Sequence, residues 1–169
     1  DTLPALDRAS SIISLDRQYH QIAAQIPNCP QLGYWGALTV GVEGKAMTEL
    51  AELATTNITG WADGNSIANP ALIRRLLEYL QPFNRPIGLY ALDRQLRGQG
   101  IARAGVAALK YGLPIDPVSS ETAALAAIIE IIAEIGTPVH LMRISTRRGV
   151  ELIAAAKQRG IPITASTTW

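Results

Sequence analysis

Asp63, Asp93 and Arg143 are the charged residues whose positions suggest chemistry. Asp63 follows the apolar stretch Ile58 to Ala62, Asp93 follows Pro86 to Leu92, and Arg143 lies near the end of Pro138 to Ser145. All three stretches read as strands, and the carboxyl ends of parallel strands converge where α/β proteins place their sites. Simple alternation puts Leu141, Arg143 and Ser145 on one face of the third strand, with His140, Met142 and Ile144 on the other. An inward arginine needs a counter-charge. The residues therefore predict a polar centre in which Arg143 pairs with Asp63, with Asp93 nearby.

Other chemistries find less support. The chain has two histidines, His20 and His140, and one cysteine, Cys29, with no HxH, HExxH or CxxC spacing. A zinc site takes three or four ligands, which His and Cys alone do not supply here. There is no GxSxG nucleophile elbow. Gly98-x-Gly100 lacks the third glycine and the lysine of phosphate loops. Ser145-Thr146-Arg147-Arg148-Gly149 joins a strand to a helix start. Two arginines there oppose the helix dipole, so either an anion lies close or both are simply solvated.

The elements that must position these groups alternate. Helix-like stretches run Arg8 to Gln25, Lys45 to Thr55, Pro70 to Leu80, Ser120 to Ile135 and Arg147 to Arg159. Strand-like stretches are Leu32 to Val40, Ile58 to Ala62, Pro86 to Leu92, Pro138 to Ser145 and Pro162 to Thr168. Asn69-Pro70 is an N-cap with proline at the first helical position, and Gly136 and Gly160 sit where helices stop. The strands are short and almost continuously apolar, as strands buried on both faces are, so the class is α/β with a parallel sheet. A doubly wound sheet and part of a (β/α)8 barrel both fit. Five strands are too few for a whole barrel of about 250 residues. The one long connection, Asp93 to Ser119, is rich in glycine and proline and is expected to be functional. Helix Ser120 to Ile135 has only three charges, which predicts a covered outer face and a role in association.

Composition bounds the rest. The 169 residues carry 15 Lys+Arg against 14 Asp+Glu, a formal net charge of +1, with 48% hydrophobic and 17% charged residues. That fits one domain over residues 1–169 and gives no basic arm for nucleic acid. The longest apolar run, Thr122 to Ala133, is broken by Glu130 and is shorter than the roughly 20 residues of a membrane span. A single cysteine suits a reducing, cytoplasmic compartment. The first residue is Asp1 and the last stretch reads as a strand, so the chain is expected to be a segment of a longer protein.

Several motifs resemble the dihydroorotases, metal-dependent cyclic-amide hydrolases of the amidohydrolase superfamily. Val139-His140-Leu141-Met142-Arg143-Ile144-Ser145-Thr146 is similar to the family's VHVAHVST. Gly149-Val150-Glu151-Leu152-Ile153 and the stretch Ala156 to Ala165 are similar to its SVELI and AKxxGLxVTAE. Asp1-Thr2-Leu3-Pro4-Ala5-Leu6-Asp7 looks like PNTxPxxD, and Ala62-Asp63-Gly64 like DDG. Tyr90-Ala91-Leu92-Asp93 looks like HAED, while Gly112-Leu113-Pro114 with Glu121 looks like GLPxxPxxAE.

The resemblance implies a (β/α)8 barrel, of which this chain holds about strands 3 to 7. The first-strand HxHxR would precede Asp1, and the last-strand aspartate would follow Trp169. It implies zinc as the family cofactor, yet the family's two metal-binding histidines fall on Tyr90 and Arg143. The substrate-contacting asparagine falls on Asp1, and two family glutamates fall on Ser166 and Ala104. Asp63 alone keeps a metal-ligating type. Asp1, Arg143 and Asp93 are the substrate-binding candidates.

Three functions follow from the resemblance. One is a catalytically degenerate, structural or regulatory homologue, for instance a partner of aspartate carbamoyltransferase. Another is an active hydrolase interconverting carbamoyl-aspartate and dihydroorotate with a reduced metal centre. The third is a binder of a small carboxylate through Arg143.

Overall fold

The computed structural model describes residues 5–167. The order of elements is α1 (Ala9–Ala23), β1 (Tyr34–Gly36), α2 (Leu50–Ala54), β2 (Ile58–Ala62), α3 (Pro70–Leu80), β3 (Ile87–Tyr90), α4 (Arg94–Arg97), β4 (Ala102–Arg103), α5 (Val106–Lys110), β5 (Ile115–Asp116), α6 (Ser119–Ile135), β6 (Val139–Ile144), α7 (Arg147–Gln158) and β7 (Ile163–Thr167). Five strands form one parallel sheet in the order β1-β2-β3-β6-β7. The long connection between β3 and α6 is not a plain loop. It carries α4, α5 and the separate parallel pair β4–β5. No described helix is long and apolar enough to cross a membrane.

Local chemistry explains the boundaries. The Asn69 carboxamide oxygen accepts from the amides of Ala71 (3.0 Å) and Leu72 (3.3 Å), and Pro70 opens α3. The first strand and second helix are shorter than the sequence suggests. Thr39 bridges Met47 in antiparallel fashion and Thr48 donates to the Leu38 carbonyl, so residues 38–48 form a compact turn.

The core lies between the sheet and the helices. Tyr34, Ile58, Trp61, Ile87, Leu89, Val139, Leu141, Ile144 and Ile163 meet Leu76, Leu77, Leu125, Ile128 and Ile132 in one cluster. The opposite, concave face is buried along β3, as expected of a strand buried on both sides, but lies open on β1 and β7. It mixes small and polar residues with the larger Trp35 and Met142. Ala62 and Met142 pack beside Gly88, Trp35 is 43% exposed, and Thr164 and Ser166 are exposed on β7.

The isoleucines of α6 turn inward. Ile128, Ile129 and Ile132 all point into the core, and α6 packs between α3 and α7. Its exposed positions are Ser119, Ala123, Ala126, Ala127 and Ala133, with Glu130 and Glu134. Those glutamates pair with Arg159 (3.1 Å) and Arg74. The shortage of charge thus reflects alanines rather than outward isoleucines.

Candidate functional site at the carboxyl end of the sheet

Three strand ends build the site. A cleft of about 1170 Å³ opens over the concave face, with Trp35, Asp63, His140, Met142 and Arg143 on its walls.

Asp63 ends β2 and is buried at 8% exposure. One carboxylate oxygen accepts from the amides of Leu38 (2.7 Å) and Thr39 (3.0 Å), and the other from the Thr39 hydroxyl. Burial raises its carboxyl above the ordinary range; the hydroxyl and amide of Thr39 and the amide of Leu38 pull it back only in part. Both oxygens are thus engaged by the turn after β1. Asp63 ties two strand ends together, and Arg143 donates to the Gly64 carbonyl rather than to it.

Arg143 does reach the mouth, by a different route from simple alternation. Its φ is +60°, and the β6–β7 register shifts between Leu141 and Ile144. The extra residue is a bulge, which breaks the period of two. Leu141 and Ile144 therefore both face the core, three positions apart, while Arg143 is thrown out over the cleft. There it donates to the Gly64 carbonyl (3.0 Å) and its guanidinium lies 5.3 Å from the Tyr90 ring centroid. The predicted Arg143–Asp63 pair does not form, because an exposed guanidinium remains solvated and needs no carboxylate.

Asp93 is not turned toward the cleft. Its carboxylate caps α4, accepting from the amides of Gln95 (2.8 Å) and Leu96 (3.0 Å). Asp1 lies outside the described residues. His140 lies on the cleft floor, with Nδ1 2.8 Å from the Thr164 hydroxyl and Nε2 3.0 Å from that of Ser166.

A second buried carboxylate stands behind the β6 end. Glu121 is 2% exposed and belongs to the first turn of α6. It accepts from the amide and hydroxyl of Ser145 (2.9 and 2.7 Å), the amide and hydroxyl of Thr146 (3.1 and 2.6 Å), and Arg103 (3.2 Å). Burial raises its carboxyl, but the hydroxyls and amides of Thr146 and Ser145 outweigh that, and the net shift is downward. Arg103 also donates to Ser120 and to the Pro117 carbonyl (3.1 Å each) and sits 3.3 Å from Asp116. A Cβ on Gly149 would strike the Glu121 carboxylate and the Thr146 hydroxyl, so only glycine fits there. Motif resemblance points to Glu121, but no residue pattern announces Arg103 as its partner, or Leu38-Thr39 as the partners of Asp63.

The arrangement does not fit the zinc of the resembled family. The Arg143 guanidinium lies over the Tyr90 ring, and arginine is always protonated and cannot ligate a cation. Among the described residues no three His, Cys, Asp or Glu side chains cluster as a metal site.

Comparison with known proteins supplies the lineage. No family model matches the chain. It is 40% identical to a dihydroorotase-like protein of Synechocystis sp., over 100% of this chain and 42% of that protein. It is 37% identical to a dihydroorotase-like protein of Pseudomonas putida, over 77% of this chain and 31% of the relative. The dihydroorotase of Syntrophotalea carbinolica is 33% identical over 78% of this chain and 31% of its own length. The chain thus spans less than half of the curated relatives it matches. Its fold is similar to L-hydantoinase from Arthrobacter aurescens, with a TM-score of 0.70 at 18% identity, covering 98% of this chain and 37% of that one. Motif order, parallel topology and these likenesses agree: the chain belongs to the dihydroorotase family of the amidohydrolase superfamily, as a divergent, incomplete part of its barrel.

Proposed function

We propose that the protein carrying this chain is a dihydroorotase-like protein of pyrimidine synthesis, cytoplasmic and catalytically silent. Its role in this reading is structural or regulatory, such as holding aspartate carbamoyltransferase in an assembly. One observation carries the reading. Arg143, at a position where the resembled family has a metal-binding histidine, lies over Tyr90, at another such position, and is fixed by the Gly64 carbonyl. A unit charge about 4 Å from that guanidinium meets a repulsion of roughly 4 kcal/mol at a surface-like effective dielectric, and a dication about twice that.

The test is elemental analysis of the dialysed full-length protein, with assays of carbamoyl-aspartate cyclisation and dihydroorotate hydrolysis. The expected result is no stoichiometric zinc and no turnover in either direction. Two zinc ions per chain with turnover would establish the active hydrolase instead. Co-sedimentation with aspartate carbamoyltransferase checks the assembly role, and independent sedimentation of the two argues against it.

A further inference from the structure

Beside the main cleft lies a second pocket of about 460 Å³, between the β3 end, the β6 bulge and the turn after α4. Three arginines line it: Arg94, Arg97 and Arg143. Asn65, Tyr90, Leu92, Gln99 and Ile101 share the wall, and among the described residues no carboxylate lines it.

Each arginine is anchored by part of its guanidinium. Arg94 Nε donates to the Ser66 hydroxyl (3.2 Å), Arg97 Nε to the Gly100 carbonyl (3.0 Å), and Arg143 Nη1 to the Gly64 carbonyl (3.0 Å). A guanidinium has five N–H donors, so these three bonds leave most of the donor set for another acceptor. The nearest carboxylate to Arg97, Asp116, lies 3.8 Å from its Nε outside the lining and is shared with Arg103.

The wall is also held in shape. Gly98 has φ +55° and ψ −127°, a conformation open to glycine, and turns the chain directly after Arg97. A Cβ on Gly100 would overlap the backbone of Asp116, so the turn is packed against β5. Asp93 fixes the start of α4 that carries Arg94 and Arg97. Three like charges face one pocket with no carboxylate among its described lining, and only Arg97 has a carboxylate partner nearby, Asp116 at 3.8 Å. Such a site selects a ligand of opposite sign, and planar guanidinium groups match carboxylate and phosphate oxygens.

We infer that this pocket binds a small polyanion, a molecule bearing two or more carboxylate or phosphate charges. The inference goes beyond the proposed silence of the metal positions and does not require it, because Arg94 and Arg97 belong to another segment.

The experiment is calorimetric titration of the full-length protein with inorganic phosphate, pyrophosphate and succinate, at low and at physiological salt. Saturable binding of at least one probe is expected, weakened tenfold or more in Arg94→Gln and again in Arg97→Gln. Circular dichroism of each variant serves as the folding control. Preference for pyrophosphate assigns a phosphorylated ligand, and preference for succinate a dicarboxylate. Absence of saturable binding by all three probes overturns the inference, as does binding undiminished in a folded Arg94→Gln/Arg97→Gln protein. Zinc content and turnover are read separately, so failure here leaves the proposed function standing and the converse also holds.

Discussion

Asp63 and Glu121 are two solutions to one problem. Each is a carboxylate buried near the carboxyl end of the sheet, and each accepts from a neighbouring strand end through consecutive backbone amides and a threonine hydroxyl. Their ionisation moves in opposite directions. Asp63 has two amides and one hydroxyl, and burial wins. Glu121 has two amides and two hydroxyls, and the donors win. One extra hydroxyl, from Ser145, is the visible difference among those local donors, and Arg103 adds a guanidinium to the second node alone. The balance between desolvation and the donors that reach each carboxylate sets the direction of its shift.

The comparison breaks most visibly when a node is deleted. Glu121→Ala strips five donors at once and is expected to destabilise the intact protein by about 3–5 kcal/mol in urea unfolding. Asp63→Ala strips three and should cost about 2–3 kcal/mol in the same measurement. Equal losses would show that the donor count is not the controlling quantity.

Removing a single donor gives a smaller effect. Thr146→Val deletes the hydroxyl bond to Glu121 and the cap on the Gly149 amide (2.9 Å), and is expected to cost about 1–2 kcal/mol. The amide variants give the sharpest contrast, by sign more than by size. The Glu121 carboxyl is lowered on folding, so its stabilisation is present above the ordinary glutamate range and is lost as pH falls through the folded value. The deficit of Glu121→Gln is therefore greatest near neutral pH and shrinks on acidification. The Asp63 carboxyl is raised, so its contribution is full below the ordinary aspartate range and is lost as pH rises through the folded value. The deficit of Asp63→Asn should shrink in the opposite direction. Unfolding midpoints between pH 3 and 7 read both slopes, and parallel slopes would contradict the assignment.

Arg143→Ala stands at the small end. An exposed guanidinium over Tyr90 contributes about 0.5–1 kcal/mol. A loss of 3 kcal/mol or more would restore the buried Arg143–Asp63 pair that the structure replaces.

Much of the frame was legible from residues. Strand order follows from β/α alternation with apolar strands, and the ends of α3 and α6 from Asn69-Pro70 and Gly136. The site was legible in place more than in wiring. Arg143 was expected at the mouth, but the period of two cannot see a bulge. The only trace is the spacing of Leu141 and Ile144, apolar residues three apart in a strand. Asp93 has the type of a site residue and the position of a helix cap, and type alone does not separate the two. Asp63 needed knowledge of where residues 38–39 fold back, which is a long-range fact. For α6, a count of charges does not say which residues face outward, and those are largely alanines.

The β6 bulge has a consequence for how this molecule changes over time. Residue 143 is uncoupled from the packing on either side of it, since Leu141 and Ile144 fill the core whatever stands between them. Strand positions in register are pinned by the side chains they must fit, whereas a residue outside the register is free to drift. A position of that kind can pass from one chemical role to another by single substitutions, each leaving a folded protein behind. Substitutions at 143 that tolerate its φ of +60° are thus expected to change the chemistry at the cleft mouth while leaving the fold intact.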